Sequence, residues 1–509
     1  MLEIELADGS GRLDLFPKEG IPFEQSFNLY DFEHIEGTKS WSFKLPKTAN
    51  NVKNCGWINV SNLRTDFKNS YRVNVYLFGD LWKIGLLYFL EDYPTYWSVH
   101  FAGEAGLLKQ LFDDKELVDF SFPKITSIAD TYAHAKLAAE EGPSEHPYTF
   151  AEVYIPNAQN DGLIPSYLNP NKYNFSTGIW EGFISNVGGG FAPLCPFPYV
   201  KQVLEVIGNE LGVHFAGELW NDTEFERLVF FNTQCLNTLV DDVPEGAPVD
   251  SIDVNNHVPK VKVTDLLINI CQFFNQLIEY DDTVGTITFI SRKTVFSSTL
   301  VNDFRYKISS SRRLYKEKRD FSLKYEYLQE DLDVAKYFGT LSDLTGINGG
   351  AAATELNVKF STIPTLDYGY PYDTVPVSSL EINAENPYQF LFFRGFKLAP
   401  EIFSAPNIPE VPYVSCDLNY TPAPGYTLDK YALTWKGTNG LHETWWAEFL
   451  SVLRLGRVLE VELVLNAKDL LTFQYLKRHS LMEDVVIFEE MKATIKNEQL
   501  KVKGQVLKF

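Results

Sequence analysis

Two stretches of the sequence match across an offset of 63 residues: Val200–Phe215, VKQVLEVIGNELGVHF, and Val263–Ile278, VTDLLINICQFFNQLI. The offset carries Val200, Val203, Leu204, Ile207, Leu211 and Phe215 onto Val263, Leu266, Leu267, Ile270, Phe274 and Ile278, and every pair is apolar. These positions follow the i, i+3, i+4, i+7 spacing of a helix with one face to bury. Gly212 maps onto Asn275. Glycine and asparagine tolerate the left-handed backbone that ends helices, so both copies carry the same stop signal. Strand candidates follow at Leu228–Phe231 and Thr286–Ile290, which makes a helix-plus-strand module used twice.

Outward from this module the chain reads as β. Leu2, Ile4 and Leu6 alternate with Glu3 and Glu5; Trp41, Phe43 and Leu45 repeat the pattern up to Pro46. Tyr71, Val73, Val75 and Leu77 run into the turn residues Gly79-Asp80, with Trp82–Leu90 as hairpin partner, then Tyr96–Phe101 and a helix over Ala105–Phe112. Towards the other end, LHETWWAEFLSVL has helical spacing and Leu459, Val461, Leu463 and Leu465 alternate with Glu460 and Glu462. Asn466 can cap a helix there, and strands close the chain around Val485–Phe488 and Leu500–Leu507. The expected architecture is α+β and β-rich, with two antiparallel β-barrel-like domains, each with a short helix, separated by the duplicated module. The segments are 1–140 (N-terminal β-barrel-like domain), 141–195 (loop-rich connection), 196–300 (duplicated module), 301–375 (mixed strand and loop) and 376–509 (C-terminal β-barrel-like domain).

Composition narrows the function. A formal net charge of −22 opposes nucleic-acid binding, which needs a basic face to displace counterions from phosphates. Cys55, Cys195, Cys235, Cys271 and Cys416 are odd in number and lack Cys-x-x-Cys spacing, which favours reduced thiols and synthesis in a reducing cytoplasm. The N-terminus has no signal-peptide pattern, and no apolar run reaches the roughly 18 residues of a membrane span.

Catalytic patterns are weak. Gly188–Gly190 lacks the Lys-Ser/Thr of a phosphate loop, and the eight histidines include no metal-binding spacing. His442-Glu443 reads as a capping or surface pair. Asp113-Asp114, Asp241-Asp242 and Asp281-Asp282 read as solvated loop acids, because a glycosidase needs carboxylates facing each other across a cleft. No cofactor and no metal is expected, and no enzyme. The local reversal of sign at Arg305, Lys307, Arg312, Arg313, Lys316, Lys318 and Arg319, against the single acid Glu317, has two readings: a solvated strand face, or an interface to acidic surface on a partner or neighbouring copy.

The stretches IPFEQSFNLYDFEHIEGTKSWSFKLPKTANN, PYVKQVLEVIGNELGVHF, HVPKVKVTDLLINICQFFNQLIEYDDTVGTITFI and VLEVELVLNAKDLLTFQYLKRH together resemble tail proteins of phages and prophages from the Bacteroidetes lineage. They are similar to the baseplate hub proteins of tailed phages. The resemblance implies a homotrimer whose six barrels form a ring that continues the tail tube. The partners it implies are the tube and other tail-tip proteins, with DNA only as passing cargo. It places the protein in the virion tail, after assembly in the host bacterial cytoplasm, with any needle or lytic enzyme a separate protein. The acidic balance fits a conduit that must pass DNA without holding it. The competing readings are a glycan-binding receptor-recognition protein and a cryptic polysaccharide hydrolase.

Overall fold

The computed structural model describes residues 2–17, 20–26, 38–40, 42–55, 69–112, 114–154, 171, 173–174, 179–180, 194–231, 236, 251–281, 283–314, 321–325, 347, 349, 353–358, 361–362, 373–374, 389–398, 410–418, 422–495 and 500–508. The protein is α+β and rich in strands. It divides into two compact units, each assembled from distant segments: Met1–Asp113, Gln276–Arg319 and Phe449–Phe509 in the first, Asp114–Asn275 and Asp320–Glu448 in the second. These units cut across the segment boundaries read from the sequence.

The first unit is built on one sheet. Its strands, numbered within this unit, are β1 (Leu2–Leu6), β2 (Arg12–Leu13), β3 (Ile21–Ser26), β4 (Thr38–Ser40), β5 (Phe43–Pro46), β6 (Ser70–Leu77), β7 (Asp80–Asp92) and β8 (Tyr96–Ala102). After a separate hairpin of β9 (Gln276–Asp281) and β10 (Thr286–Ser291), the sheet continues with β11 (Leu300–Asp303), β12 (Ile308–Leu314), β13 (Arg457–Leu465), β14 (Arg478–Leu481), β15 (Asp484–Ile495) and β16 (Leu500–Lys508). The described strands run β2-β1-β6-β7-β8-β4-β3-β15-β16-β13-β12, with β5 on β8, β14 on β15 and β11 on β14.

Two half-barrels are therefore stitched together within one sheet. The stitch is β3, which pairs antiparallel with β4 on one side and β15 on the other. Strands from the region 1–140 make one half of this sheet; the other half takes strands from 300–314 and 457–508, while Gln389–Leu398 and Glu410–Ser415, from the region read as the C-terminal barrel, belong to a sheet of the second unit. Alternation tells which face of a strand is wet and does not name its neighbour.

Local chemistry accounts for the strands. On β6, Val73, Val75 and Leu77 are fully buried while the intervening side chains face away. The β6–β7 turn has two residues, Phe78 at φ 55° and Gly79 at φ 96°, the positive pair that lets a hairpin follow strand twist. The inward side chains of both halves form one apolar cluster, running from Ile4, Val75 and Phe101 through Phe23 to Val461, Phe488 and Val502. At roughly 1.5–3 kcal/mol for each large aliphatic or aromatic side chain removed from water, this shared core binds the halves to each other.

The second unit holds both helices of the repeat, Val200–Leu211 and Val263–Phe273. Their apolar stripes are buried: Val200, Val203, Leu204 and Ile207 in one, Val263, Leu266, Leu267 and Ile270 in the other. Gly212 follows the first helix at φ 70°, and Asn275 stands one residue beyond Phe274 at φ 49°. The strand candidates read after the two helices lie in different sheets. Leu228–Phe230 pairs with Gln389–Leu398, which also pairs with Glu410–Ser415, whereas Gln276–Asp281 folds back on Thr286–Ser291 as a hairpin of the first unit.

Candidate functional site

The sequence singles out the basic stretch after β11, and its geometry starts from an anchored turn. Phe304 is buried and stacks on His479 at 5.5 Å and on Phe473 at 5.9 Å, which fixes the turn into β12. Arg305 donates from its backbone N and from Nε to the Asp303 carboxylate, and this pairing holds the Asp303 carboxyl down at about 2. Tyr306, next in the chain, is 94% exposed.

The basic residues that follow are matched by acids of the same chain. Lys307 pairs with Asp469, and Arg312 pairs with Glu460 at 2.6 Å. Arg313 lies opposite Leu459, on the sheet face that the core uses further in, yet it is exposed. Lys316, Lys318 and Arg319 lie outside the described residues, as do Gly188–Gly190, Cys235 and Asp241-Asp242. For Arg305, Lys307 and Arg312, ion pairs within the chain offset the reversal of sign seen in the sequence.

These pairs belong to a larger pattern on the wet face of the C-terminal half. Cross-strand register places Ser310 opposite Glu462, Glu462 opposite Lys503, Lys503 opposite Lys492 and Lys492 opposite Glu24, a polar row over five strands. A second row runs Arg312, Glu460, Gln505, Glu490. Lys503 contacts Glu462 at 3.3 Å, and Lys492 contacts both Glu490 and, at 3.7 Å, Glu24. Apart from Lys503 facing Lys492, the charges opposed in these rows are unlike, and such pairs stabilise a sheet modestly and leave little net field. The row on the other face, Leu463, Val502, Ala493 and Phe23, is the core.

The sheet ends on β12, whose outer side has no partner strand among the described residues. Residues 309–313 of β12 are exposed, with Ser and Arg side chains towards both faces. A polar edge of this kind resists indiscriminate strand addition. The opposite end, β2, has two residues.

The two cap residues lie in the second unit, away in sequence and unit from the basic edge. Gly212 has open space where a Cβ would stand. Asn275 is fully buried, and its Nδ2 donates to the Trp445 carbonyl at 2.8 Å, an anchor that the offset repeat does not reveal. The sequence also gives no sign of a buried charge cluster in this unit. Arg394, fully buried, donates to Asp429 at 2.6 Å and to the Asp417 and Tyr431 carbonyls, while Arg227 pairs with the other Asp429 oxygen. Glu224 accepts from the backbone N–H groups of Lys430 and Tyr431; burial nevertheless raises its carboxyl above the usual range. The partners span residues 224 to 431, so no local motif could announce them. Apart from the buried Arg394 Nε, which has no hydrogen-bond partner, the bonds of this cluster run to one another and to the backbone, which describes a clamp on the chain around residue 430.

Burial pushes the Cys55 thiol up to about 12, far from a nucleophile's range, and Cys195, Cys271 and Cys416 are buried as well. Among the described residues no group of three or more His, Cys, Asp or Glu could hold a metal ion, and no helix is long and apolar enough to cross a membrane.

No family model and no curated protein matches the chain. Among solved structures it is similar to the 43 kDa tail protein of prophage MuSo2 from Shewanella oneidensis, at 8% identity and a TM-score of 0.36 over 99% of this chain and 96% of that one. It is also similar to the tail protein from Neisseria meningitidis MC58, at 7% identity and a TM-score of 0.36 over 100% and 96% of the two chains. Prophage tail protein gp18 from Listeria monocytogenes EGD-e follows at 6% identity and a TM-score of 0.31, over 99% and 94%.

Proposed function

We propose that this chain is a non-enzymatic structural subunit of a phage tail tip or baseplate: a hub-like homotrimer that adapts the tail tube to the distal tip and lines the DNA conduit. The observation that carries this reading is the sheet of the first unit. Two half-barrels in one chain, joined through β3 and ending at β2 and β12, supply two arcs of wall per subunit, so three copies supply six. The wet face of the C-terminal half fits a wall that DNA slides past. Its cations Arg312, Lys503 and Lys492 each have an acid of the same chain, which leaves a phosphate backbone little to displace. The tail tube and other tail-tip proteins are the partners, and the virion tail is the place of action.

The mass of the purified chain in solution tests the reading. Light scattering should give a trimer at micromolar concentration, and negative stain should show a ring with a central opening. A chain that stays monomeric at that concentration and forms no ring overturns it.

A further inference from the structure

A cleft of about 710 Å³ opens in the first unit, and the basic edge forms no part of it. Four segments far apart in sequence line it: the start of β7, the helix Glu104–Phe112, the β9–β10 hairpin and residues 473–477. Its volume lies within the roughly 300–1,000 Å³ of small-ligand sites.

The two sides of the cleft differ in chemistry. One is the solvent face of the β9–β10 hairpin, where register sets Glu279 directly opposite Thr288 and Asp281 directly opposite Thr286. Two carboxylates thus line one strand and two hydroxyls the other, each carboxylate facing a hydroxyl. A carboxylate only accepts hydrogen bonds and a threonine hydroxyl both donates and accepts, so the paired rows suit a ligand bearing several adjacent hydroxyls. The other side is apolar and aromatic, with Trp82 from β7, Phe473 from the loop and Leu107 and Leu108 from the helix. Lys83 and Lys477 also reach the cleft and balance the two acids, so the lining has no net charge to favour an anion or a cation.

We propose that this cleft is a binding site for a neutral oligosaccharide of about three sugar units, a size that fits the pocket range above. The hydroxyl edge of the sugar lies along Glu279, Asp281, Thr286 and Thr288, and its C–H face lies against Trp82 and Phe473. A sugar presents both chemistries, hydroxyls round its ring edge and C–H groups on a ring face, as the cleft lining does. The inference is independent of the ring: a monomer carries the whole cleft, so oligomer mass and sugar binding succeed or fail separately.

Saturation-transfer NMR on the full chain tests it, with maltotriose, cellotriose, mannotriose and chitotriose as neutral probes and sialyllactose and a lysine-rich peptide as charged ones. Transfer to at least one neutral trisaccharide is expected, weakened at least tenfold in Thr288→Val, which removes the hydroxyl and keeps the shape, and also in Glu279→Gln. Unchanged circular dichroism and melting temperature verify that both variants are folded. Absence of transfer to every neutral probe, preference for a charged probe, or undiminished binding in both folded variants overturns the proposal.

Discussion

The two halves of the sheet solve the same problem with the same device. Each has one very long strand, β7 in the N-terminal half and β15 in the C-terminal half, and each slips register against a neighbour, β7 against β8 at Phe89/Glu91 and β15 against β16 at Phe488/Glu490. Each half also places a glycine beneath an aromatic ring from the adjacent strand, Gly85 under Phe101 and Gly504 under Phe488. A bulge bends a sheet, and a glycine makes room for a ring to cover the bend. The halves differ in what a side chain at the glycine would strike: the Ala102 carbonyl as well as the ring at Gly85, and first of all the ring at Gly504. They differ also in where each keeps its histidine. His100 stacks on Tyr88 at 5.0 Å and is half-buried, whereas His479 is fully buried between Phe473 and Phe304. Curvature is thus common to both halves, while tolerance to change belongs to each one separately.

That contrast can be broken by experiment. Gly85→Ala should be the most damaging change, at about 3 kcal/mol or more, because backbone cannot rotate out of the way as a ring can. Urea unfolding of the first unit measures it, and a loss under about 1 kcal/mol would show that β7 can shift. Acidification should come next. Burial pushes the His479 imidazole down to about 4, so the unfolded chain binds a proton between about pH 6.5 and 4 that the folded chain refuses. Stability from this group is complete above that window and falls by about 3 kcal/mol across it as pH drops. His479→Phe should remove that part of the acid limb, and an unchanged pH profile in this variant would count against a neutral buried ring. Gly504→Ala should cost about 1–2 kcal/mol, since Phe488 must give way by a few tenths of an ångström. If it matches Gly85→Ala, the two bends are equally rigid. Smallest of all, Glu462→Gln should change stability by about 0.5 kcal/mol or less and lose its effect in 1 M salt, because the row it breaks is exposed. Thermal melts at low and high salt read this directly.

The amino-acid order announces the local elements far better than their partners. The alternation of Val73, Val75 and Leu77 and the heptad-like stripe of Val263, Leu266, Leu267 and Ile270 are each complete within a dozen residues, and each became the element it describes. The helix Thr131–Glu141 escapes such a reading because its buried face is Thr131, Ala135, Ala138 and Ala139, whose small side chains hardly differ from a polar surface in pattern. The joining of two expected barrels into one sheet escapes it for another reason: β3 carries its own alternation, and nothing in IPFEQS names residues 490–495 as its neighbours. At the candidate edge, the cluster of basic residues stands out in the sequence but Asp469 and Glu460 do not, since the pairing is made by register about 150 residues away. The sugar-sized cleft draws on four segments and leaves no local trace at all.

The stitch through β3 has a consequence for how the molecule comes into being. Ile21 pairs with Ile495, so almost the whole stretch between them must be made before β3 gains this partner. Until then β3 has only β4 beside it, and the shared core lacks half its wall. Contacts so distant along the chain make closure slow and leave an open strand edge waiting during synthesis, the state most prone to wrong pairing. The sheet closes only once Asp484–Ile495 has been made, so a chain halted before that strand has no closed sheet with which to join a neighbour too early.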